Sequence, residues 1–145
     1  EKNRQMKLIM ERFNKFLVEG QDLGRVAKVV LIRKDDKILI LRRAQKLIKE
    51  ESPWKWDLPG GHAETGEELI DTIVREVWEE LSLSLGKATE IYSVEETTFF
   101  VSYEWEGKIM LSNEHEEYIW IDPKDVDNYN IGDKYSLAIG RATVK

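Results

Sequence analysis

Glu76, Glu79 and Glu80 are spaced i, i+3 and i+4, which on a helix of roughly 3.6 residues per turn sets their carboxylates on one face. Crowded like charges repel and destabilise the helix that carries them unless cations neutralise them. Hard divalent ions such as Mg2+ or Mn2+, which take oxygen ligands, are suited to that task. On its own, Glu-Val-Trp-Glu-Glu reads better as a solvated acidic helix face in a Glu-rich chain. The residues upstream decide between the two.

Gly61 is followed after five residues by Glu67, after seven more by Arg75-Glu76, then by Val77, Trp78, Glu79-Glu80, Leu81, Ser82 and Leu83. This stretch resembles the signature of the Nudix hydrolase family: Gly, five residues, Glu, seven residues, Arg-Glu, an apolar residue, any residue, Glu-Glu, any residue, Gly and an apolar residue. Ser82 replaces the late Gly and is the single departure. It costs no ligand, because Gly just past a helix supplies a left-handed turn that Ser adopts at a cost of about 1 kcal/mol.

The resemblance implies substitution at a phosphorus of a nucleoside diphosphate linked to a group X, dependent on Mg2+ with Mn2+ able to substitute. It also implies that Glu79 and Glu80 bind metal, that Glu76 is a further ligand or a base, and that the Gly60 carbonyl supplies another oxygen. Glu67 and Arg75 would form an ion pair tying the loop to the helix. A second carboxylate often comes, in this family, from a loop before a late Trp-containing strand. Here Asn113-Glu114-His115-Glu116-Glu117 precedes Tyr118-Ile119-Trp120, so Glu114 is the preferred ligand or base and Glu117 the next. His115 has the side chain of a general base near neutrality, but a lone loop histidine is more often simply exposed. His62 is expected to shape its loop.

Trp54, Trp56 and Phe99 are candidates for stacking on a nucleotide base, an interaction worth ~1–3 kcal/mol per base. The competing expectation is core, because alternation along Phe99, Val101 and Tyr103 suits a half-buried strand. Substrate readings in order are a (deoxy)nucleoside triphosphate or similar small nucleotide, then ADP-ribose or a dinucleoside polyphosphate. A non-catalytic nucleotide sensor is the reading from another class.

The elements around these residues follow from the apolar pattern. Val26, Val29, Val30, Leu31 and Ile32 form a β-rich run, Asp35-Asp36 a turn, and Ile38 to Leu41 a second run, together reading as a hairpin. A short strand over Trp54 to Leu58, a helix over Glu68 to Leu81, and strands at Ala88 to Val94, Thr97 to Trp105, Lys108 to Leu111 and Tyr118 to Ile121 follow. Pro123 opens a helical turn and Lys134 to Val144 a closing helix. This is an α+β chain, and the resemblance makes it an α/β/α sandwich with a mixed sheet. Met6, Ile9, Met10, Phe13, Phe16 and Leu17 add an N-terminal amphipathic helix. Residues 1–24 therefore read as helix and linker and 25–145 as the Nudix hydrolase domain.

At 145 residues with 41% hydrophobic content, the chain suits one cored domain. Its 22 basic and 28 acidic residues leave a net charge of -6, the wrong sign for a polyanion-binding stripe, so a small nucleotide is expected as partner and a nucleic acid polymer is not. No run approaches the roughly 20 apolar residues that span a bilayer, so no membrane partner is expected. Zero cysteines fit a cytoplasmic setting. The N-terminal apolar stripe makes a homodimer a further expectation.

Overall fold

The computed structural model describes residues 24–48 and 53–144. The N-terminal amphipathic helix expected from the sequence lies outside the described residues. Nine strands and two α-helices are found among those described: β1 (Val26–Leu31), β2 (Ile38–Arg43), β3 (Trp56–Asp57), β4 (Gly60–His62), α1 (Leu69–Leu81), β5 (Ser84–Leu85), β6 (Ala88–Val94), β7 (Thr97–Ser102), β8 (Trp105–Glu106), β9 (His115–Ile121) and α2 (Asp133–Thr143).

The strands form a mixed four-stranded sheet in the order β4-β1-β7-β6, an antiparallel three-stranded sheet in the order β3-β2-β9, and the small ribbon β5-β8. β1 runs parallel to β7 and antiparallel to β4. Both faces of β1 are covered, which is why it reads as a continuous apolar run rather than an alternating one. Ala27, Val29 and Leu31 join Leu39, Leu41 and the Ile73, Val77 and Leu81 stripe of α1 in one core. Val30 and Ile32 join Ile38, Ile40, Phe99 and the Ala138, Ile139 and Ala142 stripe of α2 in the other. The result is sheet between two helices, the sandwich expected.

Three local readings change. β1 and β2 turn back on one another at Asp35-Asp36, where Arg33 N donates to the Lys37 carbonyl (2.8 Å) and an antiparallel bridge joins Ile32 to Ile38, but they do not continue as a hairpin ladder, because they enter different sheets. Each has better partners, β7 for β1 and β9 for β2, and the two sheets diverge from that corner. Lys108 to Leu111 is not a strand. Met110 N donates to the Leu81 carbonyl (2.9 Å) and Ser112 N to that of Glu80 (3.0 Å), so the segment satisfies the last-turn carbonyls of α1, which have no partner inside the helix. Thr97 to Trp105 is likewise broken at Ser102, whose hydroxyl donates to the Lys87 carbonyl (2.6 Å) and accepts from Glu104 N (3.2 Å). Beyond that turn Trp105 pairs with Leu85 instead.

α1 ends on Ser82 in the left-handed conformation (φ 60°, ψ 29°), so Ser does take the turn that Gly would have made. No helix among the described residues is long and apolar enough to cross a membrane.

Candidate active site

The first functional group is fixed at the start of α1. Arg75 donates from Nε to Glu67 Oε2 and from Nη2 to Glu67 Oε1, both at 3.0 Å, a two-pronged pair. Glu67 also accepts from Thr72 Oγ1 (2.8 Å) and Glu64 N (3.0 Å), and Arg75 Nη2 reaches the His62 carbonyl (3.0 Å). Loop and helix are thereby locked together. The Arg75 guanidinium holds the Glu67 carboxyl down to about 2.

One turn on, Glu76 takes a hydrogen bond from Arg75 Nη1 (2.9 Å), yet burial outweighs that and raises its pKa. Gly61 lies against it: a Cβ there would stand 2.7 Å from the Glu76 carboxyl carbon and displace that carboxylate. Glu79 is about half exposed, bonded to Arg75 Nη1 (3.2 Å), and is not among the residues lining the cleft.

Glu80 is 4% exposed, unusual for a carboxylate with no arginine beside it. Its Oε1 accepts from Gly60 N (2.8 Å), and burial pushes its pKa up to about 8 against the pull of Lys28 and of that N–H. Gly60 has φ 138°, and a Cβ there would overlap the Ala27 carbonyl oxygen. Only glycine brings its N–H to Glu80 in this way.

Lys28, a lone charge in the apolar run of β1, is buried and reaches across the gap between the diverging sheets. Its Nζ lies 3.1 Å from Asp57 Oδ2, 3.2 Å from the Leu58 carbonyl and 3.4 Å from the Gly60 carbonyl. Burial alone would lower its pKa, but Asp57, Tyr135 and Glu80 together raise it, so it is a fixed cation. The Gly60 oxygen expected to meet a metal thus already faces an ammonium.

His115 is not an exposed loop residue. It is 7% exposed, and burial pushes its pKa down to about 4. A β-bulge places it there. Arg42 pairs with Glu117 but Arg43 with His115, so Glu116 is surplus to the ladder. The skipped residue turns His115 to the face shared by Leu41, Tyr118 and Trp120, toward α1, while Glu116 accepts from Gln45 N (2.9 Å). His115 Nδ1 lies 4.0 Å from Glu80 Oε2. With His115 neutral and Glu80 protonated at pH 7, that contact is not an ion pair. Glu114, exposed at the mouth, completes a group with Glu80 and His115 whose ligand atoms lie within 4.8 Å of one another.

These side chains line one open cleft of about 330 Å³, in which Glu76, Glu80 and Glu114 are interleaved with Lys28, Arg43 and Arg75. A neighbouring hollow of about 470 Å³ shares Lys28, Gly61 and His62 with it and continues to Trp54, Gly132 and Lys134. Of the aromatic candidates, Trp54 borders this hollow, and Trp56 packs edge-on against Tyr129 at 5.4 Å. Phe99 is 0% exposed between Tyr92 and Tyr135, with no free face for a base to stack on, and is a core residue. Glu117, the second choice in its loop, is paired with Arg42 (3.3 Å) and is not among the cleft-lining residues. Sequence reasoning missed Lys28 and Asp57. A single Lys amid Val26 to Ile32 was the available signal.

A divalent ion fits this donor set: the buried Glu80, the half-buried Glu76, the exposed Glu114, and a buried ring nitrogen with no hydrogen-bond partner.

The description NUDIX domain matches residues 22–138. The human m7GpppN-mRNA hydrolase NUDT17 is 47% identical over 66 residues, 46% of this chain and 19% of that protein. The chain therefore spans about a fifth of the length of that relative. Nucleoside triphosphatase NudI of Escherichia coli O17:K52:H18 is 29% identical over 122 residues, 70% of this chain and 84% of that one. Among solved structures, a MutT NUDIX hydrolase from Burkholderia pseudomallei superposes with a TM-score of 0.70 at 20% identity, covering 83% of this chain and 98% of that one, a likeness of fold.

Proposed function

The chain belongs to the Nudix hydrolase family, whose members act on phosphoric anhydride bonds, and on that premise we propose that it is a Mg2+-dependent pyrophosphohydrolase of small nucleotides. Its substrate is a nucleoside diphosphate linked to X, in first place a (deoxy)nucleoside triphosphate. The observation that carries this reading is the convergence of Glu76, Glu80 and Glu114 with Lys28 and Arg75 on one cleft. Acids alone would repel a polyphosphate and bases alone would bind it without activating water.

Glu76, Glu80 and Glu114, with the Gly60 carbonyl and Glu79 as further oxygen donors, would hold a divalent ion, which would supply charge neutralisation and an acidified water. Lys28 adds a fixed positive charge where this cleft opens into the next, and its position suits the phosphate nearest the nucleoside. Glu114, exposed at the mouth, accepts the proton of the attacking water on a carboxylate oxygen. Glu67 and Arg75 bear on none of the reacting atoms and hold Glu76 in place. Trp54 offers a face for the base, with Trp56 behind it. The triphosphatase relative, matched over most of both chains, supports the substrate class.

The test is a product-resolved screen of canonical and oxidised nucleoside triphosphates, ADP-ribose, dinucleoside polyphosphates and capped RNA, with Mg2+, with Mn2+ and with chelator. Metal-dependent release of a nucleoside monophosphate and pyrophosphate is expected. Turnover confined to capped RNA would move the substrate class to that of the human relative, and no turnover of any member would overturn the reading.

A further inference from the structure

We propose that His115 Nδ1 is a metal ligand, so that Glu80, Glu114 and His115 form a mixed oxygen and nitrogen seat for a borderline first-row divalent ion such as Co2+ or Fe2+, with Mn2+ as its spectroscopically visible substitute. This rests on reading the cleft as a divalent-cation site.

Two independent observations meet here. One is the group itself: a carboxylate oxygen from each of Glu80 and Glu114 and a ring nitrogen of His115, all within 4.8 Å of one another. The other is that His115 Nδ1, buried within its side chain's surroundings, has no hydrogen-bond partner. A buried imidazole nitrogen ordinarily finds one, and leaving it unmade costs ~1–3 kcal/mol. At 4.0 Å, Glu80 Oε2 is too far to be that partner. It is well placed for something between them: metal bonds to nitrogen and oxygen are roughly 2.0–2.2 Å, so two ligands of one ion stand up to about 4.3 Å apart. Glu114, exposed, is free to close the remaining distance.

The backbone around the group is held firmly. Ser112 N is bonded to the Glu80 carbonyl (3.0 Å), and Ala44 N to that of Glu114 (2.9 Å). The bulge at Glu116 turns the imidazole inward, against the order that a regular strand would give. Oxygen donors alone suit Mg2+, whereas an imidazole nitrogen shifts preference toward later first-row ions. The seat therefore discriminates among cations in a way that a purely carboxylate cluster does not.

Electron spin-echo spectroscopy of the full chain loaded with one equivalent of Mn2+ tests this, because a directly bound imidazole imposes nitrogen modulation on the manganese echo. The modulation is expected in the parent and in His62→Gln, the only other histidine, and lost in His115→Gln. Calorimetry should show Mn2+ affinity falling about tenfold in His115→Gln and Mg2+ affinity falling less. An oxygen-only echo from the parent, or modulation that survives His115→Gln, would overturn the proposal. The parent measurement decides the matter even if His115→Gln fails to fold. An oxygen-only echo beside metal-dependent turnover sinks the nitrogen ligand and leaves the hydrolase standing; nitrogen modulation without turnover of any nucleotide does the reverse.

Discussion

The two ends of α1 treat their acids in opposite ways. At the start, Glu67 is satisfied four times over by Arg75, Thr72 and Glu64 N, and burial of its charge is fully compensated. At the end, Glu80 is more deeply buried, accepts one hydrogen bond from Gly60 N, and faces a neutral histidine across 4.0 Å. A carboxylate answered by the protein's own cations has finished its work in folding. One left wanting positive charge in a solvent-reached cleft retains a free energy that a ligand can collect.

The largest expected effect separates the two ends by activity. Glu80→Gln keeps shape and removes charge, and turnover should fall by about 10²–10³-fold, while the metal-free fold survives; nucleotide hydrolysis rates beside a far-ultraviolet spectrum check both halves. Next, Gly60→Ala forces a Cβ into the Ala27 carbonyl and strains a φ of 138°, and should cost about 3 kcal/mol in chemical denaturation.

The pH dependence of the metal-free protein sharpens the contrast further. Glu80 has its folded pKa raised, from 4.5 to about 8, so the folded state binds the extra proton and stability falls as pH rises through that window. With Glu76 raised in the same sense and His115 titrating between about 4 and 6.5 with the opposite sign, the Glu80 slope is no longer offset by His115 from pH 6.5 to 8. It reaches up to about 1.4 kcal/mol per pH unit, and Glu80→Gln flattens it. Glu67 behaves inversely: its folded pKa is depressed, and its contribution is present above 4.5 and lost as pH falls toward about 2. Urea titrations across both ranges would reveal the two slopes. Smallest is Ser82→Gly at the helix exit, which relieves a left-handed non-glycine residue and should add about 0.5–1 kcal/mol to stability without altering turnover.

What the sequence made legible was whatever depends on local periodicity. The carboxylates of α1 follow from the helical repeat, and the burial of β1 and β2 from unbroken apolar runs. The N-terminal end of the site, Glu67 to Arg75, was readable through the resemblance to the Nudix signature, which holds that Glu and Arg eight positions apart. Lys28 and Asp57 were not, because their pairing is created by the divergence of two sheets 29 positions apart in the chain. Lys108 to Leu111 misled for a related reason: Ile109 and Leu111 alternate as in a strand because they pack beside the α1 core, while the N–H groups of Met110 and Ser112 go to helix carbonyls. Phe99 alternated correctly, and the same alternation that made it a strand residue put it in the core.

The surplus residue in β9 bears on how this chain is compared with its relatives. Column-by-column equivalence breaks at Glu116: a homologue whose strand lacks the extra residue has its inward-facing group opposite Arg43 one place closer to the tryptophan. Matching it to His115 requires opening a gap at 116, and an ungapped alignment would set that group against Glu116 and misjudge which donor each protein brings to its centre.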